Sequence, residues 1–305
     1  MLVIVCPGQG SQTPGFLSPW LEIPAFKESI EIAQSASGLD LQTYGTLSDA
    51  DTIKDTAIAQ PLIVSASLAS YAALSAAGLA NVAGVAGHSV GELAAASIAG
   101  VFDTATAMEF VTKRGSEMAK AAALTKSSMA AVLGGDRDEV VSYLTARGLS
   151  AANYNGSGQI VAAGEAEAIA TLAAEPLTGT RVIPLAVAGA FHTDFMEPAV
   201  SELANYAAGL TTQNARIKLW TNKDGTTVES GVDYLNLLVN QVSNPVRWDL
   251  CMEAMVSAGV TALIELSPAG TLAGLAKRGM PGIETLALKT PDQLDAALQL
   301  AANHG

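Results

Sequence analysis

The sequence predicts an α/β protein, a parallel sheet covered by helices, interrupted by a smaller α+β unit. Three observations carry this. Short apolar runs near both ends of the chain are followed by turns and helical stretches. The middle alternates strand-like and amphipathic segments in the order strand-helix-strand-strand-helix-strand, the ferredoxin-like split unit. The composition is that of a large buried core: of 305 residues, 50% are apolar and 15% charged, against roughly 25% charged in an ordinary domain.

Leu2-Val3-Ile4-Val5-Cys6 reads as a strand buried on both faces, ended by Pro7-Gly8 and the turn Gly8-Gln9-Gly10-Ser11-Gln12. Residues 61–79 read as a helix with Pro61 in its first turn and Gly78 near its end. Residues 82–86 form a second buried strand, running straight into Gly87-His88-Ser89-Val90-Gly91-Glu92 and a small-residue helix over 92–100. Another helix is expected over 102–121, capped by Asp103 or Thr104. In the middle, 129–133, 149–153, 160–163 and 182–187 read as strands, with helices over 136–147 and 165–174. Strands over 217–220, 260–266 and 283–288 return to the first pattern. The expected division is a large subdomain of 1–123 and 191–305 with an insertion over 124–190.

The formal charge of −13 offers no basic field for nucleic acid or an anionic membrane surface. Residues 56–87 carry no charge at all, but Ser65, Ser67, Ser70 and Ser75 with Gly78 and Gly84 make this a buried helix and strand rather than a membrane span. The first residues lack the basic region of a signal peptide. Cys6 and Cys251 are too few for a disulfide framework or a cysteine metal site, so a reduced, cytoplasmic protein without a metal centre is expected.

Gly87-His88-Ser89-Val90-Gly91 matches G-x-S-x-G at a strand-to-helix junction, where a strained turn lifts the serine hydroxyl above the sheet. A serine nucleophile needs a base, and the chain has three histidines. His88 adjoins Ser89 and should face elsewhere, and His304 is penultimate. His192 therefore remains as the partner. The Val90 N–H is one oxyanion donor by the geometry of the elbow. The turn Gly8-Gln9-Gly10 is either the second donor, at the carboxyl end of a parallel strand, or an ordinary turn. Arg114, on the helix after the elbow beside Phe110, Val111 and Met118, is either a surface residue or a bidentate carboxylate clamp.

Taken together, Pro7-Gly8-Gln9-Gly10-Ser11-Gln12, Gln60-Pro61, Gly87-His88-Ser89-Val90-Gly91-Glu92, Lys113-Arg114-Gly115, Asn153-Tyr154-Asn155, Gly158-Gln159, Gly189-Ala190-Phe191-His192 and Asn244-Pro245-Val246-Arg247-Trp248 resemble the malonyl-CoA:acyl-carrier-protein transacylases along essentially the whole chain. The resemblance implies an α/β-hydrolase-like large subdomain with a ferredoxin-like small one. It implies that Ser89 takes a malonyl group from malonyl-CoA and passes it to the pantetheine thiol of acyl carrier protein, in fatty acid synthesis, with no cofactor. It also assigns His192 as general base and the N–H groups of Gln9 and Val90 to the oxyanion. Arg114 would hold the malonyl carboxylate, and Gln60, Met118, Asn155, Gln159 and Phe191 would line the pocket. A backbone carbonyl near the Asn-Pro motif, at about Arg247, would orient the histidine, leaving no acid to complete a triad. Phe191 resembles the malonyl-selecting form.

The chain departs from the family pattern at Glu265-Leu266-Ser267-Pro268-Ala269-Gly270, at Arg247 where relatives often carry Gln, and at Thr193 where they often carry Ser. An acidic chain meeting an acidic carrier needs a local basic patch, with Lys113, Lys120, Lys126, Lys277 and Arg278 as candidates. Two alternatives keep the chemistry in another setting, a malonate decarboxylase subunit or a polyketide system. A serine esterase would instead need a late histidine, for which only His304 is available.

Overall fold

The computed structural model describes residues 1–305. The run Leu2–Cys6 (β1) is buried along its whole length, and its alternation splits it between two cores. Leu2, Ile4 and Cys6 belong to the larger apolar cluster, while Val3 and Val5 pack with Trp220, Trp248, Met252 and Leu275 on the other side. A strand covered on both faces has no polar side to show, which is why it reads as a continuous apolar run.

Two helices without a sequence expectation follow, α1 (Pro24–Ser37) and α2 (Leu41–Thr46). Phe26, Ile30 and Ala33 give α1 one buried stripe, Gly38 ends it in the left-handed region, and Asp40 caps α2 by accepting from the Thr43 N–H at 3.1 Å. The helix expected over 61–79 is α3 (Thr56–Ala76), five residues earlier at its start. Asp55, accepting from the Ala57 N–H at 2.8 Å, begins it, so Pro61 lies inside the helix and not in its first turn. Alone among the helices, α3 is long and apolar enough to cross a bilayer, and 78% of that stretch is buried within the fold. It is a core helix.

β2 (Val82–Gly87) runs into the elbow and α4 (Gly91–Ala99), and α5 (Thr104–Leu124) is capped by Asp103, which accepts from the Thr106 N–H at 2.8 Å. Gly115 on α5 faces the first turn of α3 so closely that a Cβ there would lie 2.9 Å from the Thr56 carbonyl oxygen. That approach brings Gln60 of α3 against Arg114 of α5.

The middle of the chain gives β3 (Ser127–Leu133), α6 (Arg137–Thr145), β4 (Ser150–Gly156), β5 (Gln159–Glu165), α7 (Ala166–Ala174) and β6 (Arg181–Pro184). The remainder gives α8 (Glu197–Ala207), β7 (Lys218–Leu219), α9 (Gly231–Asn240), β8 (Val246–Arg247), α10 (Trp248–Ser257), β9 (Ala262–Glu265), α11 (Thr271–Gly279), β10 (Glu284–Ala287) and α12 (Leu294–His304). The first sheet has the order β10-β9-β1-β2-β7, all parallel. The second has the order β6-β3-β5-β4-β8, with antiparallel pairs except for β4 with β8. Four of its strands come from the ferredoxin-like segment; the fifth, β8, comes from beyond residue 190 and covers an edge that 124–190 alone leaves open.

The second sheet shows two faces by simple alternation. Ala130, Val132, Ile160 and Ala162 pack on Val140, Leu144, Ile169 and Leu172. Met129, Ala131 and Val161 line a cavity facing the first sheet. The elbow fits under β1 only because its glycines lack side chains. A Cβ at Gly91 would overlap the Cys6 carbonyl, and one at Gly87 would overlap the Gly91 carbonyl. Gly91→Ala should therefore destabilise the fold by about 1–3 kcal/mol through overpacking, read by urea denaturation; stability equal to that of the parent would contradict this contact.

Candidate active site

Loops at the carboxyl ends of the first sheet converge on a cavity of about 260 Å³. Gly8, Gln9 and Gly10 follow β1, His88, Ser89 and Val90 follow β2, and Thr271 and Leu272 lie beyond β9. The second sheet closes the other side with Met129, Ala131, Asn153, Asn155 and Val161. Ligands of open parallel sheets gather at this end.

Ser89 sits at φ +52°, in the left-handed region, as a sharp strand-to-helix turn requires. Its Oγ is 2.7 Å from His192 Nε2. The other ring nitrogen, Nδ1, donates to the Gln241 carbonyl at 2.9 Å. That bond puts the ring hydrogen on Nδ1 and leaves the Nε2 lone pair for the serine O–H. Burial lowers the His192 pKa to about 3, the positive Arg114 nearby adding to the effect, so the imidazole is a neutral acceptor.

The carbonyl at about Arg247, expected to orient the histidine, does not do so. Asn244 precedes Pro245 and is extended, at φ −123° and ψ 151°, so the turn Gln241–Ser243 that ends α9 stops there. The carbonyls of that turn receive His192 twice, its Nδ1–H on Gln241, which also closes the turn with the Asn244 N–H at 3.2 Å, and its backbone N–H on Val242 at 3.0 Å. Arg247 instead donates its backbone N–H to Asn222 O at 2.8 Å and its guanidinium to Asp249. Gln241 was not among the sequence candidates; the carbonyls of a helix ended by Asn-Pro were the available signal.

Neither Gln9 N–H nor Val90 N–H has an acceptor in the protein, and both residues line the cavity. Gln60, Met118, Asn155, Gln159 and Phe191 line it too. His88, expected to face away from the site, lines the cavity and shares a hydrogen bond with Asn155 through Nε2 and Oδ1, 2.9 Å apart. His304 bonds to Thr261, which precedes β9, at the opposite end of the strands from Ser89. The late histidine that the hydrolase order requires is therefore not the partner of Ser89.

Arg114 departs from the picture of an open clamp. It is fully buried, its Nη1 donating to Gln60 Oε1 at 2.6 Å and its Nη2 to Gln241 Oε1 at 2.8 Å, while Nε has no partner. Burial lowers its pKa to about 10, which leaves it charged at neutral pH. Gln60 stands between it and the cavity. Two further residues were missed. Asn222 accepts from the Ser89 N–H at 2.7 Å and donates to the Gly87 carbonyl at 2.7 Å, which fixes the elbow. Glu92 accepts from the Asn222 N–H at 2.6 Å and from the side-chain amide of Gln241. Burial pushes its carboxyl up to about 8, against the opposing pull of the Asn222 N–H, Tyr234, Arg114 and Thr221.

Residues 3–291 match the acyl transferase domain family. A malonyl CoA-acyl carrier protein transacylase from Mycobacterium tuberculosis is 46% identical over 98% of this chain and all of its own. The crystal structure of MCAT from Mycobacterium tuberculosis superposes with a TM-score of 0.93, covering 98% of this chain and 99% of that one. A malonyl-transacylase solved in complex with its type II PKS acyl-carrier protein, 30% identical, also reaches 0.93 over 98% and 99% of the two chains. This chain belongs to the acyl transferase family, among the malonyl CoA-acyl carrier protein transacylases. It is an acyltransferase by that membership.

The depressed basicity of His192 sets a pH signature. Since the folded pKa lies below the ordinary value, the base stays unprotonated through mild acid and is lost only as the pH approaches the folded value. Covalent modification of Ser89 by a serine-directed sulfonyl fluoride should keep its rate from about pH 7.5 to about pH 5.5. A tenfold fall centred near pH 6.5 would contradict the buried setting.

Proposed function

We propose that this chain transfers the malonyl group from malonyl-CoA to the phosphopantetheine thiol of an acyl carrier protein, through a malonyl ester on Ser89. The observation that carries the reading is the relay Ser89 Oγ, His192 Nε2, His192 Nδ1, Gln241 O, at 2.7 and 2.9 Å, with a buried guanidinium one side chain from the cavity.

The sequence of events is ping-pong. His192 Nε2 takes the Ser89 proton as Oγ forms a bond to the thioester carbon, and the carbonyl π electrons move to oxygen. Gln9 and Val90 N–H groups hold that oxyanion. The oxyanion collapses, the C–S bond breaks, and the CoA thiolate leaves with the proton from His192. A pantetheine thiol then gives its proton to His192, attacks the malonyl ester, and Ser89 leaves with that proton. The malonyl carboxylate replaces the Gln60 amide oxygen on Arg114, a bidentate charge-assisted pair in place of a single neutral acceptor.

Fatty acid synthesis is the setting proposed for this transfer, in the cytoplasm, where the two free cysteines, Cys6 and Cys251, stay reduced. Among the candidate basic residues, Lys113 and Lys120 both pair with Glu117 at 2.8 Å, which leaves Lys126, Lys277 and Arg278 for an acidic carrier. Lys277 and Arg278 end α11, the helix whose Thr271, Leu272 and Leu275 line the cavity, and Arg278 lies 3.5 Å from Gln159 Oε1.

Incubation with malonyl-CoA followed by peptide mass mapping should find the malonyl ester on Ser89 and none in Ser89→Ala. An unmodified parent would sink the reading. Arg114→Ala should lower malonyl transfer by about a hundredfold and acetyl transfer by far less, since it removes a buried charge-assisted pair. Equal losses for the two acyl groups, compared as kcat/KM, would remove Arg114 from substrate recognition.

A further inference from the structure

Ser89 and His192 both occupy the left-handed backbone region, at φ +52° and +63°. Neither conformation is held cheaply, so something outside each residue must fix it. On the serine side this is Asn222, whose amide is spent on two backbone groups, the Ser89 N–H and the Gly87 carbonyl. On the histidine side it is Gln241, whose backbone carbonyl takes the imidazole and whose amide oxygen takes Arg114. The two sides meet at one carboxylate, and more loosely where the Gln241 amide N–H reaches Asn222 Oδ1 at 3.4 Å.

Extending the transfer reading, on which it rests, we propose that Glu92 is the positioning residue that holds the nucleophile and the base in register, joining Asn222 to Gln241. Amide chemistry dictates the residue type. Arg114 has only donors, so Gln241 must turn its oxygen to Arg114 and its NH₂ to residue 92. The backbone N–H of Asn222 also points its hydrogen at residue 92, at 2.6 Å. Residue 92 must therefore turn an acceptor to each of them. A carboxyl group does this in either protonation state, since each of its two oxygens keeps a lone pair for one donor. A glutamine of the same shape would set an NH₂ against a donor on one side, and flipping Gln241 would move the conflict to Arg114. Glu92 is 1% exposed, so bulk water does little to relieve it.

The same logic gives a rescue. In Glu92→Gln with Gln241→Glu, residue 92 accepts from the Asn222 N–H and donates to residue 241, whose carboxylate accepts from Arg114. The imidazole keeps its backbone carbonyl, and the number of carboxylates is unchanged. The new carboxylate also competes with a malonyl carboxylate for Arg114.

The rate of Ser89 modification by phenylmethanesulfonyl fluoride tests this without an acyl donor, with melting temperature read alongside. Glu92→Gln should fold and react at least about tenfold more slowly than the parent. The swapped double variant should recover to within about threefold, while its KM for malonyl-CoA stays raised. Parent-like labelling in Glu92→Gln, a double variant no faster than the single one, or a failure of both to fold would overturn the proposal, the last by making Glu92 a residue of stability alone. A parent that reacts with the sulfonyl fluoride but not with malonyl-CoA would instead overturn malonyl transfer and leave the joint standing.

Discussion

The interaction on which the site depends is the hydrogen bond from His192 Nδ1 to the carbonyl of Gln241. A neutral imidazole has one N–H and one lone pair, and whichever nitrogen is tied decides what the other can do. Here the tie is a backbone carbonyl at the end of a helix, a group that cannot titrate and cannot rotate. It holds the ring as firmly as a carboxylate would and adds no negative charge. The imidazolium that the proposed transfer forms would be stabilised by a carbonyl dipole in place of a carboxylate, and it would return its proton readily to whichever group leaves.

The fold supplies this carbonyl through a sequence of local constraints. The Asn244-Pro245 pair stops the turn after α9, and the stop leaves carbonyls with acceptor capacity to spare where the segment after the second sheet brings His192 past. Gly87 and Gly91 let the elbow press under β1, and Gly115 lets α5 reach α3. The first approach places Ser89 and the second Arg114, and both reach Gln241, Ser89 by way of His192. Small residues at close approaches thus do as much for the chemistry as the reactive groups.

The strands of the parallel sheet were legible because burial on both faces leaves an unbroken apolar run, and the G-x-S-x-G turn because its glycines answer a steric demand. Ser89 and His192 could be paired because the chain has so few histidines. Helices α1 and α2 had no counterpart in the sequence reading; Pro24 in the first turn of α1 and the cap Asp40 of α2 are local signals, but their short apolar stripes lie in loop-like surroundings. Arg247 was misassigned because the resemblance marks the motif Asn-Pro, whereas the group that matters is a backbone carbonyl upstream of it, carried by any residue type. Asn222, Gln241 and Glu92 were missed for a related reason. A polar network is defined by partners in space, and 130 residues separate Glu92 from Asn222 along the chain.

In the proposed transfer, Arg114 would tie recognition to the chemistry itself. With no substrate, its charge is met by two amide oxygens and a distant share of Glu92, and its field opposes protonation of His192. A carboxylate arriving at the guanidinium cancels that field where it acts on the imidazole. The base would therefore become stronger when the acid end of the acyl group is seated. An acyl group lacking a carboxylate leaves Gln60 in place and meets a weaker base. Discrimination between the two then appears in the rate of attack and not only in affinity, because the contact that recognises the substrate also sets the proton affinity that activates Ser89.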